Sequence, residues 1–204
     1  MQVLLVHGMG RTPLSMVRLG LRLRAAGMEV HYFAYFAPAE SVERMTVRLA
    51  RRLQAISEPY IVVGHSLGGV LLRMAIDRLP AGTRRPERLV LVGAPHGAPR
   101  LARRFSGWPV YRLISGDAGQ LLADPSRMAA LPRPAVPCTV VVGTRGFPAR
   151  LSPFGEEPND GLVAVAEVIP GEGAETLTLA RGHTFLMNAR EVREHICALV
   201  QSAA

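Results

Sequence analysis

The 204 residues, 49% hydrophobic and 20% charged, suffice for one α/β domain with a substantial core and are short for two. The net charge of +8 comes from arginine alone, in a chain without lysine, and no basic block carries interleaved aromatics, so solvated helix faces are expected and no nucleic-acid partner. No apolar run approaches the ~20 residues of a membrane span, Met1 leads into apolar residues without a basic n-region, and two cysteines are too few for a disulfide framework. A soluble, cytoplasmic protein without stable membrane insertion is expected, with Cys138 and Cys197 as free thiols and no cofactor or metal.

In chain order, Val3 to Val6 is a short apolar run of the kind found in a central parallel strand, and it ends in His7-Gly8-Met9-Gly10. Pro13 to Ala26 reads as a helix burying Leu14, Val17, Leu21 and Ala25, with Gly27 as its stop. Val30 to Ala34 is the next strand, and Ser41 caps a helix to Ile56 with Val42, Met45, Leu49, Leu53 and Ile56 at helical spacing.

Tyr60 to Val63 then runs into Gly64-His65-Ser66-Leu67-Gly68-Gly69 and a helical pattern from Val70 to Leu79. A serine hydroxyl becomes a useful nucleophile when it projects clear of the sheet toward a base, and a sharp strand-to-helix turn does this. Glycines two positions either side of Ser66 remove the crowding such a turn creates. The Leu67 amide, first in the following helix, lacks an intrahelical acceptor and is free to stabilise negative charge. The competing reading is an ordinary serine N-cap in a glycine-rich turn. A phosphate-binding loop is excluded by the missing lysine. The glycine-bearing loop after the first strand offers the Met9 amide as a second donor for a developing oxyanion.

Arg88 to Val92 is another buried strand, leading into Gly93-Ala94-Pro95-His96-Gly97, with His96 expected near the rim of the site. From there Ala98 to Pro137 breaks the strand-helix rhythm with many turn formers among apolar residues, an insertion read either as a lid or acyl-binding wall or as irregular packing on the sheet. Trp108, Tyr111, Leu113 and Ile114 are its candidate substrate-binding residues. Cys138 to Val142 resumes the sheet, a loop from Gly143 to Pro158 follows, and Thr176 to Ala180 is the last strand, ending in Arg181-Gly182-His183. Thr184 to Val200 reads as a terminal helix burying Phe185, Leu186, Ala189, Val192, Ile196 and Val200.

Ser66, Asp160 and His183 occur in the order nucleophile, acid, base, each past the C-terminal end of a strand-like segment. A base must take the serine proton, and a carboxylate must fix its tautomer and stabilise its cation. Rivals for the acid are Asp77, Asp117, Asp124, Glu156 and Glu157; rivals for the base are His7, His31, His65 and His195.

These motifs, V-L-L-V-H-G-M-G at residues 3 to 10, V-V-G-H-S-L-G-G at 62 to 69, G-A-P-H-G at 93 to 97, N-D-G-L-V at 159 to 163 and G-H-T-F-L at 182 to 186, together resemble the α/β-hydrolase superfamily and its small bacterial lipase and esterase group. The resemblance implies Ser66 as nucleophile, Asp160 as acid, His183 as base and the Met9 and Leu67 amides as oxyanion hole. It implies a reduced α/β fold of about six mostly parallel strands with helices on both faces, because the chain starts at the strand before His7-Gly8. The calcium site of some related lipases needs an aspartate where this chain has Phe185. The expected activity is hydrolysis of carboxylic esters, short to medium acyl chains favoured, on a small-molecule or lipid substrate. Thioesterase or acyltransferase activity with the same residues, and a non-catalytic binding protein on the same fold, are the alternatives.

Overall fold

In the computed structural model, which describes residues 1–148, 150, 152–169 and 175–202, six strands form one parallel sheet in the order β2-β1-β3-β4-β5-β6. They are β1 (Gln2–Val6), β2 (Glu29–Phe33), β3 (Tyr60–His65), β4 (Arg88–Val92), β5 (Cys138–Gly143) and β6 (Glu175–Leu179). All neighbouring strands pair in parallel, β1 with β2 and β3, β3 with β4, β4 with β5 and β5 with β6. β3 is buried along its whole length because helices cover both of its faces, which is why it reads as an uninterrupted apolar run.

One apolar layer joins α2 (Val42–Gln54) and α3 (Leu67–Asp77) to the sheet, and α5 (Pro109–Ala123) and α6 (Pro125–Ala129) add Ala118, Leu121, Leu122 and Met128 to it. The other layer is built from α1 (Val17–Ala25) and α8 (Arg190–Ser202) against Val3, Leu5, Ile61, Val63 and Val90. The remaining helices are the short α4 (Arg100–Phe105) and α7 (Val165–Val168). Residues 98–137 are therefore short helices packed over the C-terminal end of the sheet, partly core and partly cavity wall. On α2 every residue of the expected stripe is buried, and Ser41 accepts the Arg44 amide as N-cap.

Two helices differ from the sequence reading. In the first, Met16, Leu19, Gly20 and Leu23 face the sheet, whereas Leu14 and Leu21 are exposed. The sequence carries two apolar stripes, and Gly20 lies on the one that faces β2: a Cβ there would lie 1.9 Å from the Tyr32 hydroxyl, so the glycine leaves room for this ring between helix and strand. A 3-10 turn at Pro13–Met16 also shifts the phase of the first residues. At the C-terminus the expected single helix is two pieces, a 3-10 helix at His183–Asn188 and α8, separated by extended backbone at Ala189 (φ −60°, ψ 145°). The break turns Phe185, expected in the core, out to solvent at 70% exposure.

Candidate active site

All six strands point their C-terminal ends the same way, and Met9, Ser66 and His183 each follow a strand at that end, after β1, β3 and β6. Ser66 sits between β3 and α3 with φ 52° and ψ −124°, the only positive-φ residue other than glycine among those described. Such a conformation costs on the order of 1–3 kcal/mol and persists only where its surroundings enforce it. The surroundings are two backbone contacts. A Cβ on Gly64 would stand 2.5 Å from the Gly69 Cα, and one on Gly68 would stand 2.4 Å from the Val6 carbonyl oxygen and 2.5 Å from that of His7. The first contact closes the turn on itself. The second lets α3 start directly against the end of β1, and Gly8 lies close to the nucleophile: a Cβ there would be 3.2 Å from Ser66 Cβ.

The Met9 loop is held from behind. His7 stacks on Tyr35 with ring centroids 4.2 Å apart, its Nδ1–H donates to the Gly8 carbonyl at 2.9 Å, and the Tyr35 hydroxyl donates to the His7 carbonyl at 2.8 Å. Burial lowers the His7 pKa, so the ring is a neutral structural wedge. Tyr35 follows β2 in a segment without a motif, so nothing in the sequence singled it out.

Asp160 and His183 meet. The His183 Nδ1–H donates to Asp160 Oδ2 at 2.6 Å, with both side chains nearly inaccessible to water. Asp160 Oδ1 accepts the amides of Leu162 (3.0 Å) and Val163 (2.9 Å), and the Asp160 carbonyl accepts the His183 amide at 2.9 Å. Backbone thus fixes the carboxylate on one side and the histidine on the other. Gly93, at φ 57° past the tip of β4, forms the seat of the imidazole: a Cβ there would be 3.2 Å from the His183 ring.

His65 also bears on this pair. Its Nε2–H donates to the His183 carbonyl at 3.0 Å and the two rings lie 4.9 Å apart. Complete burial, reinforced by the neighbouring His183, pushes its pKa down to about 3, so it is a neutral donor and not a base. The sequence placed it beside the nucleophile; only the fold shows what it holds.

Ser66, Met9 and His183 open into one cavity of about 180 Å³, walled by Leu101, Phe105, Tyr111 and Leu122. Of the four substrate residues expected from sequence, Tyr111 lines it. Trp108, Leu113 and Ile114 do not; they are 57%, 75% and 55% exposed on the outer side of α5 and its N-terminus. Tyr111 and Leu122 share α5 with them but face inward, and Phe105, against which Trp108 packs edge-on, takes the inner position. His96 faces a different hollow, beside Arg103 and Arg133, rather than this rim.

No protein-family model matches the sequence, and no curated protein matches it. Solved structures do. Bacillus licheniformis lipase BlEst2 superposes with a TM-score of 0.77 over 97% of this chain and 91% of that one at 18% identity. The chain has the α/β-hydrolase fold. The metagenome-derived lipolytic enzymes LipS and LipT give a TM-score of 0.69 over 98% and 93% at 18% identity, and the Vlm2 thioesterase domain gives 0.60 over 98% and 91% at 19%. Identities this low carry the fold and not the chemistry.

Within this fold several of the rival acids and bases have other work. Asp117 Oδ2 accepts the Val42 amide at the start of α2, Asp124 caps α6, and Glu157 pairs with Arg100 at 2.5 Å. His195 Nε2 bonds the Thr139 hydroxyl at 2.9 Å, and His31 pairs with Glu29 at 2.8 Å. Among the described residues no three metal-ligating side chains cluster, and no helix is long and apolar enough to cross a membrane.

Proposed function

We propose that the protein is a serine hydrolase of carboxylic esters, with Ser66 as nucleophile, His183 as general base, Asp160 as its orienting acid, and the Met9 and Leu67 amides as oxyanion hole. The observation that carries the reading is the buried 2.6 Å contact of His183 Nδ1 with Asp160, on the wall of the cavity into which the strained Ser66 also opens. An ionised carboxylate only accepts, so Nδ1 carries the proton and Nε2 is left with its lone pair as the base.

In the reaction Ser66 Oγ bonds to the acyl carbon while His183 Nε2 takes its proton, and the carbonyl electrons move onto the oxygen facing the two amides. Collapse expels the leaving oxygen, which receives that proton from His183. Water then attacks the acyl-enzyme with His183 again as base, releasing the acid and Ser66. Apolar walls and a modest volume favour short to medium acyl chains. A cytoplasmic setting is part of the proposal, supported by two free cysteines, of which Cys138 has its thiol pKa pushed up to about 12 by burial.

A fluorophosphonate probe tests the reading. The folded protein should label stoichiometrically and the Ser66→Ala variant not at all. Equal labelling of both, or none of either, would show that Ser66 is no activated nucleophile and leave the fold as a scaffold.

A further inference from the structure

The acyl cavity is one of two openings onto His183. A second groove of about 300 Å³ begins at His183 and Leu162, which both hollows share, and runs away from Ser66 past Thr184, Phe147 and Phe185 to Arg145. Its position assigns its use. The departing oxygen or sulfur starts beside Ser66 and takes its proton from His183, so the rest of the departing half can leave the acyl cavity past His183 and Leu162, where the second groove begins.

Phe185 also lines a third hollow of about 270 Å³, whose walls carry Arg18, Arg22, Arg181 and Arg190. Arg18 and Arg22 are one turn apart on α1, Arg181 lies two residues before His183, and the Arg181 carbonyl accepts the amide of Arg145 at 3.3 Å. Among the described residues only Arg190 of these four is ion-paired, with Glu194 at 2.6 Å, and no carboxylate lines the hollow. Asp160, which lines the groove before it, is consumed by His183 and two amides. Arg18, Arg22 and Arg181, gathered without a paired carboxylate, repel one another, and a fork of N–H donors matches phosphate oxygens bidentately.

We propose that the departing half of the substrate carries a phosphate, which the arginine hollow binds while its linker lies along the Phe147–Phe185 groove. The proposal rests on the hydrolase reading above and narrows it: the substrate is an acyl ester or thioester of a phosphate-bearing alcohol or thiol. The chemistry is as written there, the alcohol oxygen or thiol sulfur leaving with the proton from His183.

Two matched pairs test it and separate the two sources: butyryl-glycerol-3-phosphate against butyrylglycerol for an alcohol, and butyryl-coenzyme A against S-butyryl-N-acetylcysteamine for a thiol. In at least one pair kcat/KM should favour the phosphate-bearing member by tenfold or more, mainly through KM. That ratio should fall at least tenfold in an Arg18→Gln/Arg22→Gln variant and by less in Arg18→Lys/Arg22→Lys, which keeps the charge and loses the fork. Because the ratio is taken within one protein, a loss of folded material cancels. A ratio near one in both pairs, or one the Gln variant does not move, overturns the proposal. If no ester is turned over and the fluorophosphonate fails, the hydrolase reading is lost, and calorimetric titration of coenzyme A and glycerol 3-phosphate into the protein judges the hollow alone. Binding that the Gln variant abolishes supports it; no heat from either refutes it.

Discussion

Asp160→Asn separates the chemistry of the acid from its structural role. Asp160 Oδ1 accepts two amides, those of Leu162 and Val163, and a side-chain amide can satisfy both only through its oxygen. The Asn NH2 is then forced to the Oδ2 position, 2.6 Å from His183 Nδ1. There it can only donate, so Nδ1 must give up its proton and accept, and the proton moves to Nε2, the nitrogen that has to be bare to act as base. A base with the wrong nitrogen protonated cannot take the serine proton. The corresponding change in a serine protease costs about 10⁴ in kcat, or ~5.5 kcal/mol at ~1.36 kcal/mol per tenfold. We expect a loss of that order in kcat, with KM within about threefold of wild type, and a urea midpoint close to wild type because the backbone bonds survive. Asp160→Ala should differ by losing stability too, since two amides are left without an acceptor at about 1–3 kcal/mol each. The assay is p-nitrophenyl butyrate hydrolysis with urea melts of each variant. An Asn variant within tenfold of wild-type kcat would mean that Asp160 does not set the tautomer, and the acid would have to be sought elsewhere.

Phe105→Ala should flatten the dependence on acyl length: wild-type kcat/KM for p-nitrophenyl esters should climb by up to about fourfold per methylene (~0.8 kcal/mol) until the cavity fills, while Trp108→Ala, outside the wall, should change that gradient less than Phe105→Ala does. Acidification should destabilise the fold through His65. Its folded pKa near 3 lies below the unfolded value of 6.5, so its contribution is complete above pH 6.5 and lost as pH falls toward 3, about 2 kcal/mol by pH 5; urea midpoints between pH 7 and 5 should fall less in His65→Gln, and parallel slopes would refute the assignment. Gly68→Ala should lower stability by about 1–3 kcal/mol and reduce kcat together, because its methyl group pushes α3 off the backbone of Val6 and His7. An unchanged melting curve with full activity would show that this contact does not set the oxyanion loop.

The alternation of strands and helices, the elbow and the order Ser66, Asp160, His183 were all legible in the sequence, because each is a local pattern: period, glycine spacing, position after a strand. Tertiary structure alone decided matters where two local patterns tied or where partners lie far apart along the chain. Helix α1 offered two apolar stripes, and the one that faces β2 is the one where Gly20 leaves room for the Tyr32 ring. Trp108, Leu113 and Ile114 looked as apolar as Phe105 and Leu122, yet the way α4 and α5 pack over the sheet turned the first set outward and the second onto the cavity. The bond from His65 to the His183 carbonyl spans 118 residues, and the arginine hollow draws its charges from α1, the β6 loop and α8. Such convergence has no period and no spacing, since it is set by which strand ends the parallel sheet brings side by side.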